Sequence, residues 1–412
     1  MENKKINRYG VLAAAVLINM CIGAVYSFSV FAGPLGETRG WTPAEVMMAF
    51  TINSAISPIP MILGGKFLDA GKAKISILVG GIMFGLGFIC TGLSSSTMML
   101  YISYGLLGGI GQGIAYSGII GNTVRFFPDR RGLATGIVTA GYGAATIITA
   151  PLANTLIESV GVLTTFKILG TAYVIIIAIA GIFIKTAPAG YKPEGWNPPA
   201  QSGAKQGANL TWNEMIKTPI FYVIASMFAI GALSGMMITS NASRIAQSMY
   251  GLSAAVAAGF VSLYSFSNCV GRIFWGGVSD KLGRNKALVG IYVVISAMLL
   301  LIGTVNTTIA FTVALVGIGL CFGGTMGIFP SIVAEKFGMK NYGVNYGVTF
   351  IGYSVAAYFG PKIAVKVSEV NNGDFTGAFF IALAFSLLGL ILTFVFKKLE
   401  KNKLVKEQEK VA

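Results

Sequence analysis

Arg272 is the residue whose type and position most plainly ask for chemistry. It lies in GFVSLYSFSNCVGRIFWGGVSDKLGRNK (259–286), a pattern that predicts an apolar helix ending in a Gly, Asp and basic cluster. A guanidinium is a permanent cation whose planar fork of N–H donors grips a carboxylate bidentately. Arg272 stands eight residues before Asp280, so it sits about 12 Å inside the helix. A charge at such depth in a bilayer costs about 2.5 to 3.5 kcal/mol on insertion scales, which makes it a functional candidate by default. No Asp or Glu falls near the middle of an apolar segment: Glu45, Asp69, Glu158, Asp280, Glu335, Glu369 and Asp374 all lie at ends or in loops. The expected partner of Arg272 is therefore a small carboxylate brought in as cargo. The competing role is structural, with Arg272 capping backbone carbonyls or snorkelling towards Asp280.

The elements that hold this residue follow from composition. The chain has 412 residues, 54% hydrophobic and 11% charged, with mean hydropathy +0.74. That leaves too little polar surface for a soluble protein of this size and predicts a polytopic all-α membrane protein. The net charge of +15 does not indicate nucleic-acid binding, because 24 of the 30 Lys and Arg fall in segments assigned to one side of the membrane. Cys21, Cys90, Cys269 and Cys321 lie in apolar runs and there is no His, so disulfides, His-based metal sites and cofactors are not expected. The first apolar run, after Lys4, Lys5 and Arg8, is too long for a signal peptide and reads as a retained span.

Twelve segments of spanning length are predicted, six in 1–184 and six in 219–396. A Pro, Gly and Lys-rich cytoplasmic linker (185–218) separates them, and a cytoplasmic tail (397–412) follows. An even number of spans puts both termini on the side favoured by the basic residues, the cytoplasm, in a multi-pass protein of the cell (inner) membrane. Asp69 and Asp280, Phe126 and Phe337, Gly132 and Gly343, Gly136 and Gly347, and Gly141–Tyr142 and Gly352–Tyr353 all repeat at an offset of 211. That is the mark of a tandem duplication, two six-helix bundles with the same orientation.

The loops GKFLDAGKAK (65–74) and GGVSDKLGRNK (276–286) share Gly, Asp and a basic turn, with Ala70 standing where the second copy has Lys281. The glycine admits a neighbouring helix, the aspartate accepts from that helix's amino terminus, and the basic residues face anionic lipid. This pattern resembles the signature loop of the major facilitator superfamily. The resemblance implies that fold and a conformational latch at Asp69, Asp280, Gly276 and Arg284.

A finer resemblance is carried by GAVYSFSVFAGPL (23–35), NTVRFFPDRRGLATG (122–136), AGYG (140–143), TPIFYV (218–223), GRIFWGGVSDKLGR (271–284) and NYGVTFIGYS (345–354). These runs are similar to the oxalate:formate antiporter family, bacterial relatives of the monocarboxylate transporters. The resemblance implies a carrier of small carboxylates working by alternating access, with Arg272 binding the carboxylate. In oxalate-transporting members a lysine of the eleventh span opposes the arginine; the matching position here is Tyr353. Val25 and Met326 replace a polar and an aromatic residue expected in spans one and ten.

A site with one fixed cation and apolar lining favours a monocarboxylate such as lactate, pyruvate, formate or acetate. Oxalate would leave a second carboxylate unpaired, at several kcal/mol of desolvation. Resemblance and helix placement add Tyr26, Phe28, Tyr116, Tyr142, Asn268, Phe322, Phe350 and Tyr353 as candidate lining of a midplane cavity. Core packing is the competing role of each. The glycine row GGIGQG (108–113) reads as close helix packing, since no strand precedes it.

In the animal monocarboxylate carriers an acidic residue precedes the arginine by one turn; Asn268 holds that place. Proton symport and anion exchange both stay open. The expected partners are the cargo, protons in the symport case and the lipid bilayer, with the protein working as a monomer. No nucleophile, metal or acid–base pair suggests an enzyme. A transporter-like carboxylate sensor would use the same pocket without turnover.

Overall fold

The computed structural model describes residues 6–196 and 209–409. The centre of the predicted linker, Lys4 and Lys5, and the last three residues of the tail lie outside the described residues. Helices follow one another as α1 (Arg8–Gly23), α2 (Phe28–Arg39), α3 (Pro43–Ile56), α4 (Pro58–Asp69), α5 (Ala73–Thr91), α6 (Thr97–Leu100), α7 (Gly109–Phe126), α8 (Arg131–Val160) and α9 (Val162–Phe183). After the linker come α10 (Trp212–Met215), α11 (Pro219–Tyr250), α12 (Ala254–Leu282), α13 (Arg284–Thr304), α14 (Thr308–Phe337), α15 (Tyr342–Thr349), α16 (Ile351–Val370) and α17 (Thr376–Glu409). No strand occurs among the described residues.

Among the described residues, ten continuous helical paths are long and apolar enough to cross a bilayer. The α3–α4 pair, bent by 41°, is an eleventh. The helix that carries Arg272, α12, is long enough at 29 residues but less apolar than these. Three further spans are irregular, two of them at candidate positions. A 3-10 turn, Ala24–Ser27, joins α1 to α2 and carries Tyr26. A π-helical stretch, Tyr101–Gly108, joins α6 to α7, and Phe350 caps α16 at its break from α15.

The chain clusters into two compact units. The first comprises Met1–Pro128, Gly141–Gly195 and Lys340–Val348. The second comprises Asp129–Ala140, Trp196–Met339 and Thr349–Ala412. Each end of the linker is tied within its own unit. In the first, the Asn122 side chain donates to the Lys185 carbonyl (2.8 Å) and accepts from the Ala187 amide (2.9 Å). In the second, the Leu210 amide donates to the Phe337 carbonyl (3.0 Å). A capping box then starts α10: the Thr211 hydroxyl accepts from the Glu214 amide, and the Glu214 carboxylate takes the Thr211 amide, which holds its carboxyl below the usual carboxylate range.

Inside the first unit α5 and α7 approach to backbone contact. A β-carbon at Gly80 would stand 2.5 Å from the Ala115 nitrogen and 2.6 Å from the Gly111 carbonyl oxygen. At Gly33 the same atom would meet nothing within 4 Å. Gly80→Val is therefore expected to destabilise the protein by about 2 kcal/mol or more, since neither backbone can yield. Gly33→Ala is expected to leave the thermal midpoint unchanged or slightly raised. A melt of the two variants in detergent checks the contrast.

Candidate functional site

Arg272 is buried, with 3% of its surface exposed. Two glycine-bearing surfaces clasp its helix within the second unit. A β-carbon at Gly136, in the first turns of α8, would lie 2.3 Å from the Arg272 carbonyl oxygen. On α14, one at Gly323 would lie 2.0 Å from the Asn268 carbonyl oxygen, and one at Gly327 2.7 Å from that of Arg272. Only glycine leaves room for so close an approach, and the approach fixes the backbone from which the guanidinium extends.

The guanidinium makes two bonds. Its Nε donates to Asn268 Oδ1 at 3.0 Å, and Nη1 donates to the Thr139 carbonyl oxygen at 2.9 Å. Because Nε–H can only donate, the Asn268 oxygen must face it, and the Asn268 amide nitrogen points elsewhere; it is buried and has no acceptor among the described residues. Arg272 forms no ion pair among those residues. Asp280 is engaged by other groups: Arg284 pairs with it at 2.7 Å, and its two oxygens accept from the Gly132 and Leu133 amides at 2.9 and 2.8 Å. Snorkelling towards Asp280 is thus not what the side chain does, whereas capping of one carbonyl is. The remaining guanidinium N–H groups and the Asn268 amide nitrogen are donors of the kind a carboxylate accepts from.

The aromatic candidates divide between the units. In the second, the Phe350 and Tyr353 rings lie 4.6 Å apart and both pack on Phe228, which stacks on Phe329 at 4.5 Å. Phe322 is buried against Gly235, where a β-carbon would come within 2.2 Å of its ring. In the first unit Tyr142 meets Tyr26 and Tyr116 edge-on, at 5.2 and 5.3 Å, and its hydroxyl accepts from Gln112 Nε2 at 2.6 Å. Phe28 packs on Tyr104 (4.2 Å) and Phe50 (6.1 Å) in an aromatic core.

Sequence reasoning missed Thr139, Gln112 and Phe228. A backbone acceptor such as the Thr139 carbonyl leaves no mark in residue type. Gln112 did leave one, as a lone amide in the glycine run GGIGQG.

The two signature loops make the same contacts at the 211 offset, each within its own unit. Asp69 accepts from the Gly343 and Val344 amides, at 2.9 and 3.1 Å, as Asp280 does from Gly132 and Leu133. Gly65 abuts Gly343, and Gly276 abuts Gly132, with no room for a β-carbon on any of the four. Each aspartate thus closes the positive end of a helix. The cations differ. Arg284 bridges Asp280 and Glu335, the latter at 2.7 Å. In the first copy, where Ala73 stands at the position matching Arg284, Arg125 of α7 supplies the charge, 3.0 Å from Asp69. Among the described residues no group of three or more His, Cys, Asp or Glu is placed to hold a metal ion.

Comparison with known proteins adds to this geometry. The profile of the Major Facilitator Superfamily matches residues 12–361. The chain is 32% identical to the oxalate:formate antiporter of Oxalobacter formigenes, over 97% of this chain and 94% of that one. It is 22% identical to human monocarboxylate transporter 12, over 96% and 82%. The solved proton:xylose symporter XylE superposes with a TM-score of 0.75 at 10% identity, covering 96% of each chain, a likeness of fold.

Proposed function

Since this chain belongs to the major facilitator superfamily and, within it, to the oxalate:formate antiporter family, we propose that it is a secondary carrier of small monocarboxylates in which Arg272 binds the carboxylate. It is a membrane transporter and not an enzyme. The observation that carries the substrate reading is the buried Arg272 guanidinium, in no ion pair among the described residues, beside a buried amide donor with no acceptor. An incoming carboxylate meets both needs at once.

Lactate, pyruvate, formate and acetate fit a site with one fixed cation. Val25 and Met326 are buried apolar groups, and Tyr353 packs in the Phe228–Phe350 cluster without adding charge. The carrier works by alternating access, with the Asp69 and Asp280 contacts as its cytoplasmic latch. An empty carrier must reorient with the Arg272 charge only partly compensated, by Asn268 and the Thr139 carbonyl. That raises its barrier and makes exchange faster than net uptake.

Uptake of labelled mono- and dicarboxylates into proteoliposomes, with and without a pH gradient, tests this reading. Lactate exchange faster than oxalate exchange supports it, and the reverse order overturns the substrate assignment. Oxalate:formate exchange is the second reading, favoured by the Oxalobacter formigenes relative. Tyr353→Lys adds the second cation, and the variant is expected to raise oxalate exchange at least tenfold while weakening lactate exchange. Unchanged selectivity would show that position 353 does not decide between the two.

A further inference from the structure

Six of the 30 Lys and Arg lie outside the basic segments that set the predicted orientation: Arg39, Lys167, Arg244, Arg272, Lys362 and Lys366. The last two belong to α16. They stand one turn apart, on the face of that helix that also presents Ile351, Val355, Tyr358 and Phe359. All six side chains are exposed, so this stripe is not packed against the rest of the chain. At the end of the stripe nearest Val370 the surface is a shallow, open depression formed by Pro361, Lys362, Val365, Lys366 and Glu369 of this one helix.

The direction of the Lys362 side chain decides what the stripe faces. A lysine in contact with lipid snorkels to the nearer interface, here the Val370 end of α16. Lys362 instead reaches back along the helix, its Nζ 3.7 Å from the centre of the Tyr358 ring. Tyr358 lies one turn farther from that end, so the ammonium has moved deeper. A side chain that moves inward, with no carboxylate paired to it among the described residues, faces water at that depth. The face of α16 from Tyr358 to Lys366 therefore borders an aqueous route. Lys366 marks its outer step and Lys362 its inner one, about 6 Å farther in.

We propose that Lys362 and Lys366 form a two-step cation ladder that gathers the anionic cargo on its way to the buried site. The Tyr358 ring holds the inner ammonium in place by a cation–π contact. The ladder rests on the carrier reading above and adds to it the residues that set capture rate. Two like charges beside the route raise the local anion concentration and the association rate, an effect that salt suppresses. They are positioning residues, since neither is required to touch the cargo once it is bound.

The test measures initial exchange of labelled lactate, and separately of labelled oxalate, in proteoliposomes at ionic strengths of about 0.01 M and about 0.5 M, where the screening length falls from about 30 Å to about 4 Å. The variants are Lys362→Gln/Lys366→Gln and the charge-keeping Lys362→Arg/Lys366→Arg. The glutamine pair is expected to raise KM about fivefold at low salt, to keep the saturated rate, and to match wild type at high salt; the arginine pair is expected to behave as wild type throughout. Repeating the low-salt arm in vesicles of phosphatidylcholine alone separates cargo from lipid headgroups as the anion. The KM shift is expected to persist there, and its disappearance would assign the lysines to a net-anionic lipid headgroup and overturn the ladder. An unchanged KM at low salt, or a shift that survives high salt, would also overturn it. If wild type exchanges neither anion, the carrier reading fails and the ladder falls with it, a pattern distinct from any of these.

Discussion

Arg272→Lys is expected to lower carboxylate exchange at least 100-fold, and Arg272→Gln further still, without loss of folded protein. Lysine keeps the charge but loses the planar fork. It cannot pair with both carboxylate oxygens while also donating to Asn268 and to the Thr139 carbonyl, the two contacts that now orient the group. Removing a buried, hydrogen-bonded partner of a bound charge costs about 2 to 5 kcal/mol, a factor of about 30 to several thousand in affinity or rate. Stability should move the other way. Arg272 is 3% exposed and pairs with no carboxylate among the described residues, so glutamine relieves a buried charge instead of breaking an ion pair. The thermal midpoint of Arg272→Gln is expected to equal or exceed that of wild type. A structural arginine would behave differently, with activity and stability falling together. Rates in proteoliposomes and a melt of the same preparations separate the two.

Asp280→Asn should slow turnover by about 10- to 100-fold while leaving equilibrium binding of the carboxylate within about threefold. The Asp280 oxygens accept from two successive amides of α8 and pair with Arg284. Asparagine matches the shape but turns one acceptor into a donor that must face an amide N–H. The charge that complements the helix terminus is lost as well. Arg284 keeps Glu335, so the local fold survives. The loss falls on the contact that must break and re-form as the carrier cycles, which is why rate and binding are expected to part company. Initial rates with a binding titration on the same preparations check this, and equal loss of both would show Asp280 to be a folding residue only.

The spans, the 211 repeat and the isolation of Arg272 were legible because each is written in residue type and spacing. Lipid forces long apolar helices, and a charge inside one stands out against them. The Gly–Asp loops were legible for a similar reason, since Gly, three residues, Asp recurs at the same 211 offset, Gly65 and Asp69 with Gly276 and Asp280. What escaped was set by backbone or by distant chain. The Thr139 carbonyl is an acceptor that any residue carries. Arg125, which gives Asp69 the cation that Arg284 gives Asp280, comes from a helix 56 residues away. The breaks at Ala24–Ser27 and before Ile351 fall inside runs whose hydropathy gives no sign of them. Tyr26 and Phe28 looked equivalent in sequence. The 3-10 turn and the start of α2 send them to different neighbours, Tyr142 for one and the Tyr104 core for the other.

Equilibrium binding of labelled lactate to purified wild type and Arg272→Gln tests the central claim most directly, because it removes turnover, coupling and lipid from the question. Saturable binding by wild type, displaced by pyruvate and lost in a variant whose melt is unchanged, is the predicted result. A variant that binds lactate as tightly as wild type would contradict the assignment of Arg272 as the carboxylate's partner.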